Sequence, residues 1–134
     1  MKTSKYVLDS YALLAYFQAE PGGERVRQLL KEAYVGRSEV FLSVINLGEI
    51  YYIVARRRGR DAAISLVEDL SRLPVDVVDA GTKRVLAAAD IKVQHRVSYA
   101  DAFAAATAEE LTATLVTGDP EMKEVESRVP VLWL

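Results

Sequence analysis

In KYVLDSYALLAYF, residues Lys5 to Phe17, a short apolar strand meets a carboxylate and passes without a linker into a helix. No other stretch restricts the fold as much. Val7 and Leu8 carry no polar interruption, the pattern of a strand buried on both faces of a parallel sheet, so this first strand is expected to lie centrally. From Ser10 onward Leu13, Leu14 and Phe17 recur at helical spacing. Asp9 therefore falls at or just beyond the carboxyl end of the strand, where open α/β sheets gather their ligands.

The rest of the chain repeats the alternation. The turn EPGG leads to a helix with Val26, Leu29, Leu30 and Ala33 on one face, ending near Gly36. Glu39 to Ser43 reads as the second strand, with Ser43 as N-cap of a helix from Val44 to about Arg58. Gly59 closes that helix, Asp61 to Leu73 forms the next, Pro74 breaks it, and Val75 to Val78 is a third strand. Ala80 to Gln94 is helical by composition, and a further helix starts at Ser98 and runs through DAFAAATAEE, apolar almost all round as in a buried helix. Thr114 to Val116 is the fourth strand, TGDP a sharp exit, and VPVLWL the last strand. Strands alternating with helices predict a mainly parallel sheet with helices on both faces.

A chain of 134 residues, 51% hydrophobic, suits one domain over residues 1–134 that buries about two-thirds of its unfolded surface. There is no cysteine, which excludes disulfides and thiolate metal sites. The start MKTSKYVLDS lacks the apolar core of a signal peptide, and no apolar run approaches the roughly 20 residues that span a bilayer, so a soluble, cytoplasmic protein without a membrane partner is expected. The formal net charge is −2, the wrong sign for gripping nucleic acid by a general basic surface. Any such contact must be local, and the run Arg56, Arg57, Arg58 and Arg60 offers either a phosphate grip or a solvated helix end.

Four acids stand out by position: Asp9 after the first strand, Glu49 in the helix after the second, Asp101 in the helix before the fourth, and Asp119 just after the fourth. Each has a plainer explanation. Asp9 could cap its helix, Asp101 could complete a Ser-x-x-Asp capping box with Ser98, Asp119 before Pro120 could start a turn, and Glu49 could be a surface charge. Yet Glu49 interrupts the apolar stripe of Ile45, Tyr52 and Ile53, and neither it nor Asp101 has a Lys or Arg three or four residues away. Only Asp119 has a local partner in Lys123. If the four converge, each close pair repels by about 4 kcal/mol at about 4 Å under an effective dielectric near 20, and such a cluster calls for a divalent cation. Oxygen-only ligands favour Mg²⁺ or Mn²⁺, ions suited to phosphodiester hydrolysis. A single histidine, His95, rules out a two-histidine cleavage scheme within one chain, and no glycine-rich phosphate loop is present.

The segments YVLDSYALLAYF, NLGEIYYIVARR, SYADAFAAATA and TLVTGDPEMK, in that order over most of the chain, resemble the PIN-domain ribonucleases, and the length resembles the VapC toxins of toxin–antitoxin pairs. The resemblance implies a three-layer α/β fold with a five-stranded parallel sheet in the order 3-2-1-4-5. It implies a metal-dependent endoribonuclease acting on an RNA substrate, with a Mg²⁺ or Mn²⁺ site made by Asp9, Glu49, Asp101 and Asp119 and supported by the hydroxyls of Ser10 and Thr117. The aromatic or His often found a few residues after the fourth acid is absent, with Met122 nearby. A homodimer is implied, as is a VapB-like antitoxin whose C-terminal segment wraps the toxin and places an Arg in the acidic crevice. Tyr11, Tyr16, Tyr51 and Tyr52 are candidates for such interfaces or for the core. The rival reading is a non-catalytic RNA- or protein-binding scaffold of the same fold. A receiver-like signalling domain lacks its other acids and its Lys here, and a haloacid-dehalogenase-like hydrolase would need an Asp where Tyr11 stands.

Overall fold

The computed structural model describes residues 3–134. β1 (Ser4–Leu8) leads through Asp9 into α1 (Ser10–Phe17), and α2 (Gly23–Tyr34) follows a tight turn. β2 (Ser38–Ser43) runs straight into α3 (Val44–Arg58), because the Ser43 hydroxyl accepts from the Ile45 N–H at 3.2 Å and caps the first turn. α3 and α4 (Arg60–Ser71) are separated only by Gly59, whose φ of +93° a side chain would resist. β3 (Asp76–Val78), α5 (Thr82–Gln94), α6 (Tyr99–Leu111), β4 (Thr114–Thr117), a 3₁₀ helix (Pro120–Val125) and β5 (Val131–Trp133) complete the chain.

All four strand pairings are parallel, and the order is β3-β2-β1-β4-β5, as expected. β1 is the central strand. Its alternating side chains feed two cores: Val7 joins the cluster formed with α5, α6 and the 3₁₀ helix, while Leu8 joins the cluster under α1, α2, α3 and α4. β4 repeats the division with Leu115 and Val116. The result is helix, sheet, helix in three layers. α6 is buried from Asp101 to Thr107 and on through Ala108, which explains its apolar circumference. Among the described residues no helix is long and apolar enough to cross a membrane.

The sequence-based boundaries shift in a few places. The first strand begins at Ser4 because pairing with β2 starts there, ahead of its apolar run. α5 begins at Thr82, with Gly81 in the extended N-cap conformation, and α4 ends at Ser71 before the Pro74 break. The TGDP exit is followed by a full 3₁₀ segment, which Asp119 caps through the Glu121 N–H at 3.0 Å. Of the four tyrosines considered, Tyr11 and Tyr52 are exposed, while Tyr16 and Tyr51 are partly buried against the second core.

Two glycines make opposite demands. A Cβ on Gly23 would overlap the Ala15 carbonyl oxygen and stand 3.3 Å from Tyr16 Cα, so α1 and α2 approach here through bare backbone; at Gly48, inside α3, a Cβ would meet nothing within 4 Å. Gly23→Ala is expected to destabilise by about 1–3 kcal/mol through overpacking. Gly48→Ala should stabilise by about 0.5–1 kcal/mol through helix propensity. Urea unfolding of the two variants beside the unaltered protein measures both, and equal midpoints for the pair would contradict the α1–α2 contact.

Candidate metal centre

The strand order reverses between β1 and β4, so the loops leaving these two neighbours diverge and open a crevice at their carboxyl ends. Asp9 leaves β1 with extended backbone and caps α1, one oxygen accepting the Ala12 N–H at 2.8 Å. Its other oxygen accepts the hydroxyl of Thr117, the last residue of β4. The same Thr117 oxygen accepts the Asp119 N–H at 3.0 Å. One buried hydroxyl thus links the carboxylate after β1 to the backbone of the acid after β4.

Ser10 bonds to Asn46. Its hydroxyl donates to the Asn46 carbonyl at 3.4 Å and accepts from Asn46 Nδ2 at 3.2 Å, and it reaches none of the carboxylates. Asn46 Nδ2 also donates to the Ala100 carbonyl at 3.3 Å. This fully buried amide therefore ties α1, α3 and α6 together next to the three residues Asp9, Glu49 and Asp101. The sequence reading passed over it. The available signal was a polar amide one turn before Glu49 within the apolar run VINL. Its Oδ1 is the one buried side-chain polar atom without a partner among the described residues.

The electrostatics show that the four acids share one field. Asp9, fully buried, is pushed up to about 7, first by desolvation and then by the charges of Asp119 and Glu49, against the lowering hydrogen bonds from Thr117 and Ala12. Asp101 rises to about 7 through desolvation, then the charges of Asp119 and Asp9, with Glu49 adding a little and the Ser98 hydroxyl partly offsetting them. Carboxyls perturbed by burial and by one another mark functional sites more often than structural ones. A fifth acid joins them: carboxylate oxygens of Asp101, Asp119 and Glu121 all lie within 4.8 Å of one another. Glu121, which the sequence did not single out, is brought in by the first turn of the 3₁₀ helix.

Among the described residues no cation pairs with these acids. The ion pairs among the described residues are Arg27 with Glu24, Arg72 with Asp69, Arg84 with Glu110, and Arg128 with Glu109, all away from the crevice. The expected partner Lys123 does not pair with Asp119, since a 3₁₀ helix turns every three residues and does not align positions four apart. Arg56 sits over the Tyr52 ring at 5.1 Å, Arg60 donates to the Tyr51 hydroxyl at 3.3 Å, and Arg57 and Arg58 are exposed; none of these four pairs with an acid of the site. A set of hard oxygen donors with uncompensated charge fits Mg²⁺ or Mn²⁺ and fits zinc poorly. Volume does not mark this place. A cavity of about 750 Å³ opens at the opposite edge of the sheet, lined by Lys5, Glu39, Thr112 and Thr114 among others.

Known proteins share this fold. A chain of VapBC2 from Rickettsia felis, bound to a DNA fragment from its promoter, superposes with a TM-score of 0.74 at 17% identity, over 96% of this chain and 97% of that one. DNA-bound VapBC from Salmonella typhimurium gives 0.73 at 19%, over 97% and 98%. Mycobacterium tuberculosis VapC20, a Sarcin-Ricin loop cleaving toxin, gives 0.69 at 18%, over 88% and 92%. No curated protein matches the sequence. The family model described as PIN domain matches residues 6–127, a span that includes all five acids, and the chain belongs to the PIN domain family.

Proposed function

We propose that this chain is a metal-dependent endoribonuclease, the VapC-like toxin of a toxin–antitoxin pair, that hydrolyses RNA phosphodiester bonds in the crevice between β1 and β4. The observation that carries this reading is a shared field of carboxylates, two of them buried, with no Lys, Arg or His among the described residues paired to any. Asp9, Glu49, Asp101 and Asp119 would hold Mg²⁺ or Mn²⁺, with Glu121 within reach of the last two. When bound, such an ion neutralises the carboxylates and supplies Lewis-acid polarisation for attack of water on phosphorus.

The chain's own groups supply the rest. Thr117 and the Ala12 N–H fix both oxygens of Asp9, so its orientation is set before any ligand arrives. Asp119 spends one oxygen on its helix cap, and its other oxygen is left to position metal or water. Asn46 keeps α1, α3 and α6 in register, which holds Glu49 and Asp101 toward Asp9. Burial excludes bulk water from Asp9 and Asp101 and strengthens every charge interaction there.

The partners follow the same reading: RNA as substrate, a VapB-like antitoxin, and a second copy of the chain, all in the cytoplasm, with residues 1–134 acting as one domain. Support for the antitoxin comes from relatives solved as VapBC complexes and from an apolar groove of about 400 Å³ between α3 and α4, lined by Val44, Leu47, Tyr51, Ile64 and Val67 with Glu68 as its charged member. Leu86 and Val93, exposed on α5, support a contact between copies.

Purified protein should cut transfer or ribosomal RNA at defined sites in Mn²⁺ or Mg²⁺, and both EDTA and Asp9→Asn should abolish the cuts; cutting that survives Asp9→Asn sinks the assignment of this site. Thr117→Val, which strips Asp9 of its hydroxyl partner, should lower activity by about 10–100-fold, as loss of a ligand-orienting group does, with a folded circular dichroism spectrum.

The pH dependence of stability has a definite sign. Asp9 and Asp101 take up protons near pH 7 when folded in the absence of metal, against an ordinary carboxyl value of 3.8, so the folded state binds more protons than the unfolded chain between those limits. Stability should therefore rise as pH falls from 8 toward 5. Urea unfolding in EDTA should give a higher midpoint at pH 5.5 than at pH 8, with Asp9→Asn raising the pH 8 midpoint and flattening the trend. A lower midpoint for Asp9→Asn at pH 8 would contradict uncompensated charge at that position.

A further inference from the structure

Tyr11, the second residue of α1, is 44% exposed at the rim of the acidic crevice, yet it is wedged in place. Its ring lies so close to Gly118 that a Cβ there would overlap Cε1 and stand 2.7 Å from Cζ and 2.9 Å from Cδ1. Gly118 is flanked by Thr117, which holds the Asp9 carboxylate, and by Asp119. The ring thus spans from the chain leaving β1 to the chain leaving β4. Its hydroxyl makes no hydrogen bond among the described residues, so the ring is held by packing alone. A packed aliphatic side chain would also cover Gly118, without presenting an aromatic surface to solvent.

Other exposed aromatics near the acids are engaged. Tyr52, one turn beyond Glu49, carries the Arg56 guanidinium at 5.1 Å, and Tyr99 packs on Phe103 at 5.0 Å between centroids. Among the described residues, Tyr11 is the exposed aromatic whose ring packs on Gly118, between Thr117 and Asp119. An aromatic already held by its neighbours loses little freedom when a flat group binds. Base–aromatic stacking tolerates any base, and it requires a base out of its duplex stack.

Resting on the ribonuclease reading above, we propose that Tyr11 is a substrate-positioning platform on which an unpaired nucleobase adjoining the scissile phosphate stacks. The platform selects unpaired RNA and fixes the phosphate over the carboxylates, with the base identity left open.

The test begins by mapping the cut made in transfer or ribosomal RNA in Mn²⁺ and then uses a short oligoribonucleotide spanning it. Tyr11→Leu should raise KM about tenfold and leave kcat within about threefold, while Tyr11→Phe, which keeps the ring, keeps the affinity. An abasic residue at one of the two nucleotides flanking the cut should cost the unaltered protein a similar factor and cost Tyr11→Leu nothing further. The abasic substrates decide the question on unaltered protein even where Tyr11→Leu fails to fold. No abasic penalty at either flank, equal penalties in both proteins, or a fall in kcat at constant KM overturns the platform and leaves the ring a packing role. If the unaltered protein cuts no RNA, or Asp9→Asn cuts as well, the ribonuclease reading itself fails and takes the platform with it.

Discussion

Burying a carboxylate with no cation beside it is costly, and this chain buries two. The fold meets the cost for Asp9 only in part, through a helix cap and the Thr117 hydroxyl, and the residual strain appears as a carboxyl that holds its proton near neutral pH. A protein selected for stability alone would place an apolar residue at the end of its central strand. The topology explains why the charge sits there instead. The carboxyl edge of a parallel sheet, where strand order reverses, is the one place at which a fully buried strand delivers a side chain to an opening.

The precision of the site comes from the amide of Asn46. Glu49 and Asp101 sit on different helices, 52 residues apart in sequence, and nothing local fixes their separation. Asn46 does so by bonding to Ser10 in α1 and to the Ala100 carbonyl in α6 from its own place in α3. Each of those bonds lies one residue from an acid or one helical turn from it. Ser10 thus reaches the acids only through Asn46, whereas Thr117 bonds Asp9 directly.

Much of this was legible in the sequence, for identifiable reasons. β1 and β4 are apolar on both faces and flanked by amphipathic helices, so the parallel three-layer plan follows from periodicity. Glu49 and Asp101 have no Lys or Arg at helical offsets, and that absence is itself local. Glu121, Asn46 and the loss of the Lys123 pairing were not legible. Asn46 bonds across 36 and 54 residues, separations that no local pattern encodes. Glu121 and Lys123 both depend on whether the segment after Asp119 winds with three residues per turn or 3.6, a choice that the caps and packing of Met122 and Val125 settle in the fold. Tyr11 looked like an interface or core residue because its exposure depends on Gly118, more than a hundred residues away.

The proposed RNA substrate would meet an electrostatic problem here, since a net charge of −2 gives no general attraction for a polyanion. The arginines at the end of α3 are the nearest concentrated cations in the sequence of that helix, but they sit about two turns from Glu49 and cannot neutralise the crevice. The phosphate and the carboxylates repel each other unless a cation lies between them. Any cation that occupies the crevice must then strengthen RNA binding, and by reciprocity RNA must strengthen cation binding by the same factor. Stacking on a pre-placed aromatic is a source of affinity that carries no charge, and it is the kind of contact on which such a site has to rely until both ligands are seated.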